Sequence, residues 1–129
     1  MTGLAVVIVE DEQAQREALV EFLQWQGFSV IAFSSGRDVV DWLQTDEAQL
    51  DAAVVDWHLP GVGGSGVIEG IRARFPRAPI IVASGSPLSS GERRSARWSA
   101  ALRKPFSMRK VVSLLNELIE TTQTDAQPS

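Results

Sequence analysis

The chain has 129 residues, 44% of them hydrophobic and 22% charged, with a formal net charge of −4; this fits one packed domain and excludes wholesale disorder. Cysteine is absent and there is one histidine, which removes disulfides, thiolate zinc sites, cysteine nucleophiles and multi-histidine metal centres, so any metal should be held by oxygen. The lack of cysteine fits a reducing, cytoplasmic setting, and the strongly apolar stretch nearest the start, Leu4–Val9, is too short for a membrane span or a secretory signal.

In chain order, apolar runs alternate with amphipathic stretches. Leu4–Val9 reads as a buried strand. Asp11 then opens a helix with Ala14, Ala18, Leu19, Phe22 and Leu23 on one face, stopped by Gly27. Phe28–Phe33 is a second strand. A helix follows Ser35-Gly36, with Val39, Val40, Trp42 and Leu43 as its apolar set. Ala52–Val55 is a third strand, ending at Asp56. A Pro- and Gly-rich loop leads to a helix marked by Val67, Ile68 and Ile71 and ended by Phe75-Pro76. Ala78–Ala83 is the fourth strand. Leu88–Ser99 reads poorly as a helix, because Ser and Arg dominate and Gly91 interrupts it. Ala100–Arg103 is a short fifth strand. A last helix starts from Ser107 as N-cap, with Val111, Leu114, Leu115, Leu118 and Ile119 on one face. One domain over residues 1–121 and a polar, frayed tail over 122–129 are expected.

Five strand–helix units of this kind imply an α/β fold: a doubly wound, flavodoxin-like (βα)5 arrangement with a five-stranded parallel sheet in the order 2-1-3-4-5. Charge is uneven along it. Residues 1–84 hold five Arg against twelve acids, and residues 85–129 hold seven Arg and Lys against four. Arg93, Arg94, Arg97, Arg109 and Lys110 are therefore expected to form a basic surface suited to an acidic protein partner. The overall negative charge and the lack of a recognition motif argue against direct nucleic-acid binding.

Ligands of such sheets bind at the carboxyl ends of the strands. Those ends carry Glu10-Asp11, Asp56, Ser84-Gly85 and Lys104-Pro105. Crowded carboxylates raise one another's pKa unless a cation intervenes, and an all-oxygen set suits Mg²⁺. With that charge neutralised, a phosphoryl group could approach, Asp56 could serve as a carboxylate nucleophile, and Lys104 and Ser84 could stabilise the transferring oxygens.

These four segments, read as Val9-Glu10-Asp11-Glu12, Val55-Asp56-Trp57-His58-Leu59-Pro60-Gly61, Ile81-Val82-Ala83-Ser84-Gly85 and Lys104-Pro105-Phe106, resemble in order and spacing the receiver domain of two-component response regulators. The resemblance covers residues 4 to about 120. It implies that Asp56 accepts phosphate from a sensor histidine kinase or a histidine phosphotransfer protein. It implies that Asp11 binds Mg²⁺ directly, Glu10 mainly through water, and that the His58 backbone carbonyl completes the protein ligands. Ser84 would contact the phosphoryl oxygen and carry the switch, and Lys104 would pair with the phosphoryl group. Such a protein catalyses only its own phosphorylation and dephosphorylation. Output would pass by protein–protein contact through the basic face of the fourth helix, fifth strand and last helix, and a homodimer stays open.

Three features depart from that pattern. The acid pair is Glu-Asp in place of the commoner Asp-Asp. Glycines at 61, 63, 64 and 66 are expected to loosen the loop after Asp56. Ala101 occupies the place of the aromatic that receivers often couple to the Ser/Thr, so the usual signalling route is missing. The alternatives are a pseudo-receiver that binds partners without phosphorylation and a flavodoxin-like small-molecule binder. Gly61-Val62-Gly63-Gly64-Ser65-Gly66 matches GxGxxG but follows the wrong strand for a dinucleotide fold, and no Lys after Gly66 makes a Walker A loop.

Overall fold

The computed structural model describes residues 3–126. The elements run β1 (Ala5–Val9), α1 (Gln13–Trp25), β2 (Ser29–Phe33), α2 (Gly36–Leu43), β3 (Ala52–Asp56), α3 (Gly63–Arg74), β4 (Ile80–Ser84), α4 (Ser90–Arg94), β5 (Ala100–Arg103) and α5 (Met108–Ala126). The strands form one sheet in the order β2-β1-β3-β4-β5, and every neighbouring pair is parallel. The expected (βα)5 architecture and strand order are therefore present.

The side-chain period of two explains both cores. Val7, Val9, Ala53, Val55, Ile80 and Val82 face α2 and α3, against Val39, Leu43, Val67, Ile68 and Ile71. The intervening residues Val6, Ile8, Ala52, Val54 and Ile81 face α1 and α5, against Leu19, Leu23, Val111, Leu115 and Ile119. Strands buried on both faces read as unbroken apolar runs, as β1, β3 and β4 do. The edge strand β2 alternates less cleanly, and its Ile31 is 40% exposed.

Several boundaries differ from the sequence reading, each for a local reason. Helix α1 starts at Gln13 with Glu12 as N-cap and no side-chain cap bond, so Asp11 stays outside it. Ala14 and Ala18 are exposed. Ala18 sits one residue step, about 100°, from Leu19, and the buried stripe runs through Leu19 and Leu23. Helix α3 begins at Gly63, so Gly63, Gly64 and Gly66, read as loop, form its first turn, and Gly61 stays in the loop. Helix α5, with the Lys110 N–H donating to Ser107 Oγ at 3.1 Å, continues to Ala126. It overruns the expected tail because no Gly or Pro interrupts Glu120–Ala126; residues 127–129 lie outside the described residues.

Candidate phosphoacceptor site

Parallel strands leave their carboxyl ends on one rim. Register pairs Val9 with Val55 across β1 and β3, so Glu10 and Asp56 emerge side by side. Across β3 and β4, Asp56 pairs with Ala83, placing Ser84 next along. Ser84 pairs with Arg103 on β5, and the Lys104 N–H donates to the Ser84 carbonyl at 2.8 Å. The Lys104–Pro105 bond is cis.

Glu10, Asp11 and Asp56 each offer a carboxylate oxygen, and the three atoms lie within 4.8 Å of one another. Lys104 Nζ donates to Glu10 Oε1 at 2.9 Å and to Asp56 Oδ2 at 3.3 Å. Glu10 and Asp56 are buried at 3% and 6% exposure, whereas Asp11 is exposed. Burial pushes the Glu10 carboxyl above its ordinary value, against the Lys104 hydrogen bond. At Lys104, burial works against the ammonium, but the Glu10 hydrogen bond and the Asp56 charge outweigh it and its pKa is raised. Two carboxylates and one ammonium thus share a desolvated pocket with an exposed third acid at its mouth.

Backbone donors orient the acids. The His58 N–H donates to Asp56 Oδ1 at 3.0 Å, and the Glu12 N–H donates to Glu10 Oε2 at 3.1 Å. Both Glu10 oxygens are therefore engaged. On the far side of Asp56, Ser84 Oγ donates to the Ser86 carbonyl at 2.6 Å. The His58 ring reaches the same group, with Nε2 3.3 Å from Ser84 Oγ and 3.1 Å from Ser86 Oγ.

The structure adds Arg16 and Glu92, which the pattern of the sequence did not single out, and gives new roles to Gly64 and Trp57. Arg16 donates to the Glu10 carbonyl at 2.9 Å and the Asp11 carbonyl at 3.4 Å, holding the loop that carries both acids. Nothing in helical periodicity marks that role. Gly64 does not loosen its segment: a Cβ there would stand 2.7 Å from Trp57 Cα and 2.8 Å from the Asp56 carbonyl oxygen. The glycine lets the start of α3 press against the end of β3. Gly61 and Gly63 take positive φ, at 75° and 77°, which L side chains rarely adopt. Trp57 donates through Nε1 to Glu92 Oε2 at 3.0 Å and meets Trp98 edge-on at 5.3 Å between ring centroids. Ser89-x-x-Glu92 is a capping box, a signal legible in the sequence.

The five cations expected on one basic face are distributed. Arg97 pairs with Glu69 of α3 at 2.9 Å. Arg109 lines a recess with Phe22 and Trp25 between α1 and α5. Arg93 borders the α4–β5 side with Ala101 and Arg103, and Arg94 and Lys110 are exposed.

Residues 6–116 match the response regulator receiver domain family. The chain belongs to that family. This receiver is 29% identical over 123 residues to the response regulator MprA of Mycolicibacterium vanbaalenii, covering 93% of this chain and 52% of that protein. It is 32% identical over 125 residues to the DNA-binding transcriptional regulator NtrC of Klebsiella pneumoniae, covering 94% of this chain and 26% of that one. The receiver thus spans about half or less of the length of these curated relatives. In fold it is similar to a CheY-like receiver domain protein of Methanospirillum hungatei, with a TM-score of 0.87 at 18% identity over 95% of this chain and 98% of that one. It is also similar to the receiver domain of a sensor histidine kinase of Pseudomonas aeruginosa, crystallised with a magnesium ion coordinated in its active-site cleft. There the TM-score is 0.80 at 26% identity, over 92% of this chain and 99% of that one. Among the described residues, no helix is long and apolar enough to cross a membrane.

Proposed function

We propose that this receiver takes a phosphoryl group on Asp56 from a phosphohistidine of a sensor histidine kinase or histidine phosphotransfer protein, and signals by protein contact in the cytoplasm. The observation that carries the reading is the meeting of Glu10, Asp11 and Asp56 within 4.8 Å, with the Lys104 ammonium on Glu10 and Asp56. Glu10-Asp11, Asp56 and Lys104 come from three segments widely separated in the chain.

The donor set fits a hard divalent ion: three carboxylates, with neither Cys nor a second His, and one acid exposed at the mouth. Asp11 and Asp56 would hold Mg²⁺ directly with the His58 carbonyl, and Glu10, whose oxygens are both engaged, would act through water. When bound, the ion supplies charge neutralisation for the approaching phosphoryl oxygens. Around it, an Asp56 carboxylate oxygen attacks phosphorus, the P–N bond of the donor breaks, and an acyl phosphate forms. Lys104 is placed to pair with the phosphoryl oxygens, and Ser84 Oγ can turn from the Ser86 carbonyl to donate to one of them. A loose phosphoryl-transfer transition state asks chiefly for such positioning and charge stabilisation. The reaction on this chain is its own phosphorylation and hydrolysis, without a separate turnover substrate. Arg93, Arg94, Arg97, Arg109 and Lys110 are all exposed and are candidates for the partner surface.

The test is intact mass after incubation with acetyl phosphate and Mg²⁺. One added phosphoryl group is expected in the wild type and none in Asp56→Asn. Modification that persists in Asp56→Asn would place the acceptor elsewhere, and no modification of the wild type would favour a phosphorylation-independent binding module.

A further inference from the structure

The fourth helix has little of its own to hold it. It is five residues long and none of them is buried, and a helix this short is not stable on propensity. Its attachments are few and identifiable. Leu88 is buried just before it, the Ser89/Glu92 capping box closes its first turn, and Trp57 reaches across to it from the residue after Asp56. Glu92 serves two of these attachments at once: Oε1 accepts the Ser89 N–H at 2.7 Å and Oε2 accepts the Trp57 indole N–H at 3.0 Å. Trp98, beyond the helix, packs edge-on against the same indole.

The indole itself has a fixed base. The Trp57 N–H donates to the Ala83 carbonyl at 2.9 Å, and its carbonyl accepts the Gly64 N–H at 3.2 Å. Its backbone is therefore clamped between β4 and α3 beside the acceptor carboxylate. By contrast Ala101, on the edge strand, shares with Ser84 the lining of a cavity of about 180 Å³ and brings no ring to it.

We propose that Trp57, through Glu92 and Trp98, couples the state of Asp56 to the position of residues 88–99. The coupling rests on the phosphoacceptor reading for its physiological trigger. Its direction follows from contacts that a phosphoryl group would compete for. The His58 N–H is held by Asp56 Oδ1, which becomes a poorer acceptor when the carboxylate is converted to an acyl phosphate. Ser84 Oγ is held by the Ser86 carbonyl, two residues before Leu88, and gives up that bond if it turns to a phosphoryl oxygen. Both changes slacken the chain on either side of the indole–Glu92 bond, so phosphorylation loosens the 88–99 segment. A two-state element biased from the site in this way is what signalling requires.

Hydrogen exchange of peptides spanning 88–99 tests this, read at rest and with beryllofluoride and Mg²⁺, alongside phosphoryl uptake by mass. Loading the wild type should speed exchange across the segment. Trp57→Phe keeps an aromatic ring and the capping box but loses the indole donor. It should raise resting exchange about fivefold, the change expected from one lost hydrogen bond, and flatten the response to loading while phosphoryl uptake persists. Ser89→Ala should raise resting exchange yet keep the response, because the indole bond survives. A response of wild-type size in Trp57→Phe would overturn the proposal, as would unchanged resting exchange. A double-mutant cycle of Asp56→Asn with Trp57→Phe, read at rest, separates this claim from the functional one. Coupling without phosphoryl uptake would sink only the phosphoacceptor reading, and uptake with additive effects would sink only the coupling.

Discussion

Lys104 is the residue whose contacts are most unequal to its surroundings. Its ammonium touches two buried carboxylates, and its pKa is raised despite burial because Glu10 and Asp56 outweigh the loss of water. Lys104→Met should therefore slow phosphoryl uptake by acetyl phosphate about 10²–10³-fold, the range found for removing one donor from a preorganised anion site; intact mass against time is the measurement. Glu92 gives a pH prediction with a definite sign. The Ser89 backbone N–H, then the Trp57 indole, hold its carboxyl below the ordinary 4.5. A depressed acid contributes stability above its unfolded value and loses it only as pH falls through the folded one. The Trp57 indole N–H resonance should thus stay in place on acidification through pH 4.5 and move only below it. Movement centred above that value would contradict the assignment.

At the scale of elements, burial separates residues that composition treats alike. Ile71 in α3 is fully buried against the sheet, so Ile71→Ala should cost about 2–5 kcal/mol in urea unfolding. Trp25 is 84% exposed at the end of α1, and Trp25→Ser should stay within about 0.5 kcal/mol of the wild type by the same measurement. Gly64→Ala belongs with the costly changes, since its methyl would meet backbone atoms of Trp57 and Asp56 below 3 Å. Moving that backbone should cost about 1–3 kcal/mol and shift the loop after Asp56 as well. The strands were legible as apolar runs and α5 as a clear stripe, because both report directly on what is buried. Helix α4 was legible only in its Ser89/Glu92 capping box, since its composition is polar and its other attachment is Trp57, a partner 35 positions away from Glu92.

For the whole molecule, a divalent ion held by the acid cluster would be linked to stability. A ligand that binds only the folded chain stabilises it by mass action, about 2.7 kcal/mol at a hundred times its Kd. Saturating Mg²⁺ should raise Tm for the wild type and do so much less for Asp11→Asn, whose exposed carboxylate is freest to meet an ion. An equal rise in both would place the ion elsewhere. The placement of the basic residues shows what charge counting misses. Residues 85–129 are rich in Arg and Lys, yet Arg97 turns to Glu69 and Arg109 to the α1–α5 side. Net charge along a chain says nothing about which way helices carry it.

By itself the sequence determined the (βα)5 order and the identity of the residues at the strand ends, because hydrophobic periodicity and parallel topology are local and directional rules. Tertiary structure alone decided that Arg16 grips the Glu10-Asp11 loop, that Gly64 makes room for Asp56, and that Trp57 ties the site to α4. Each of those is a contact between segments whose approach is set by packing in three dimensions, and no spacing along the chain encodes it.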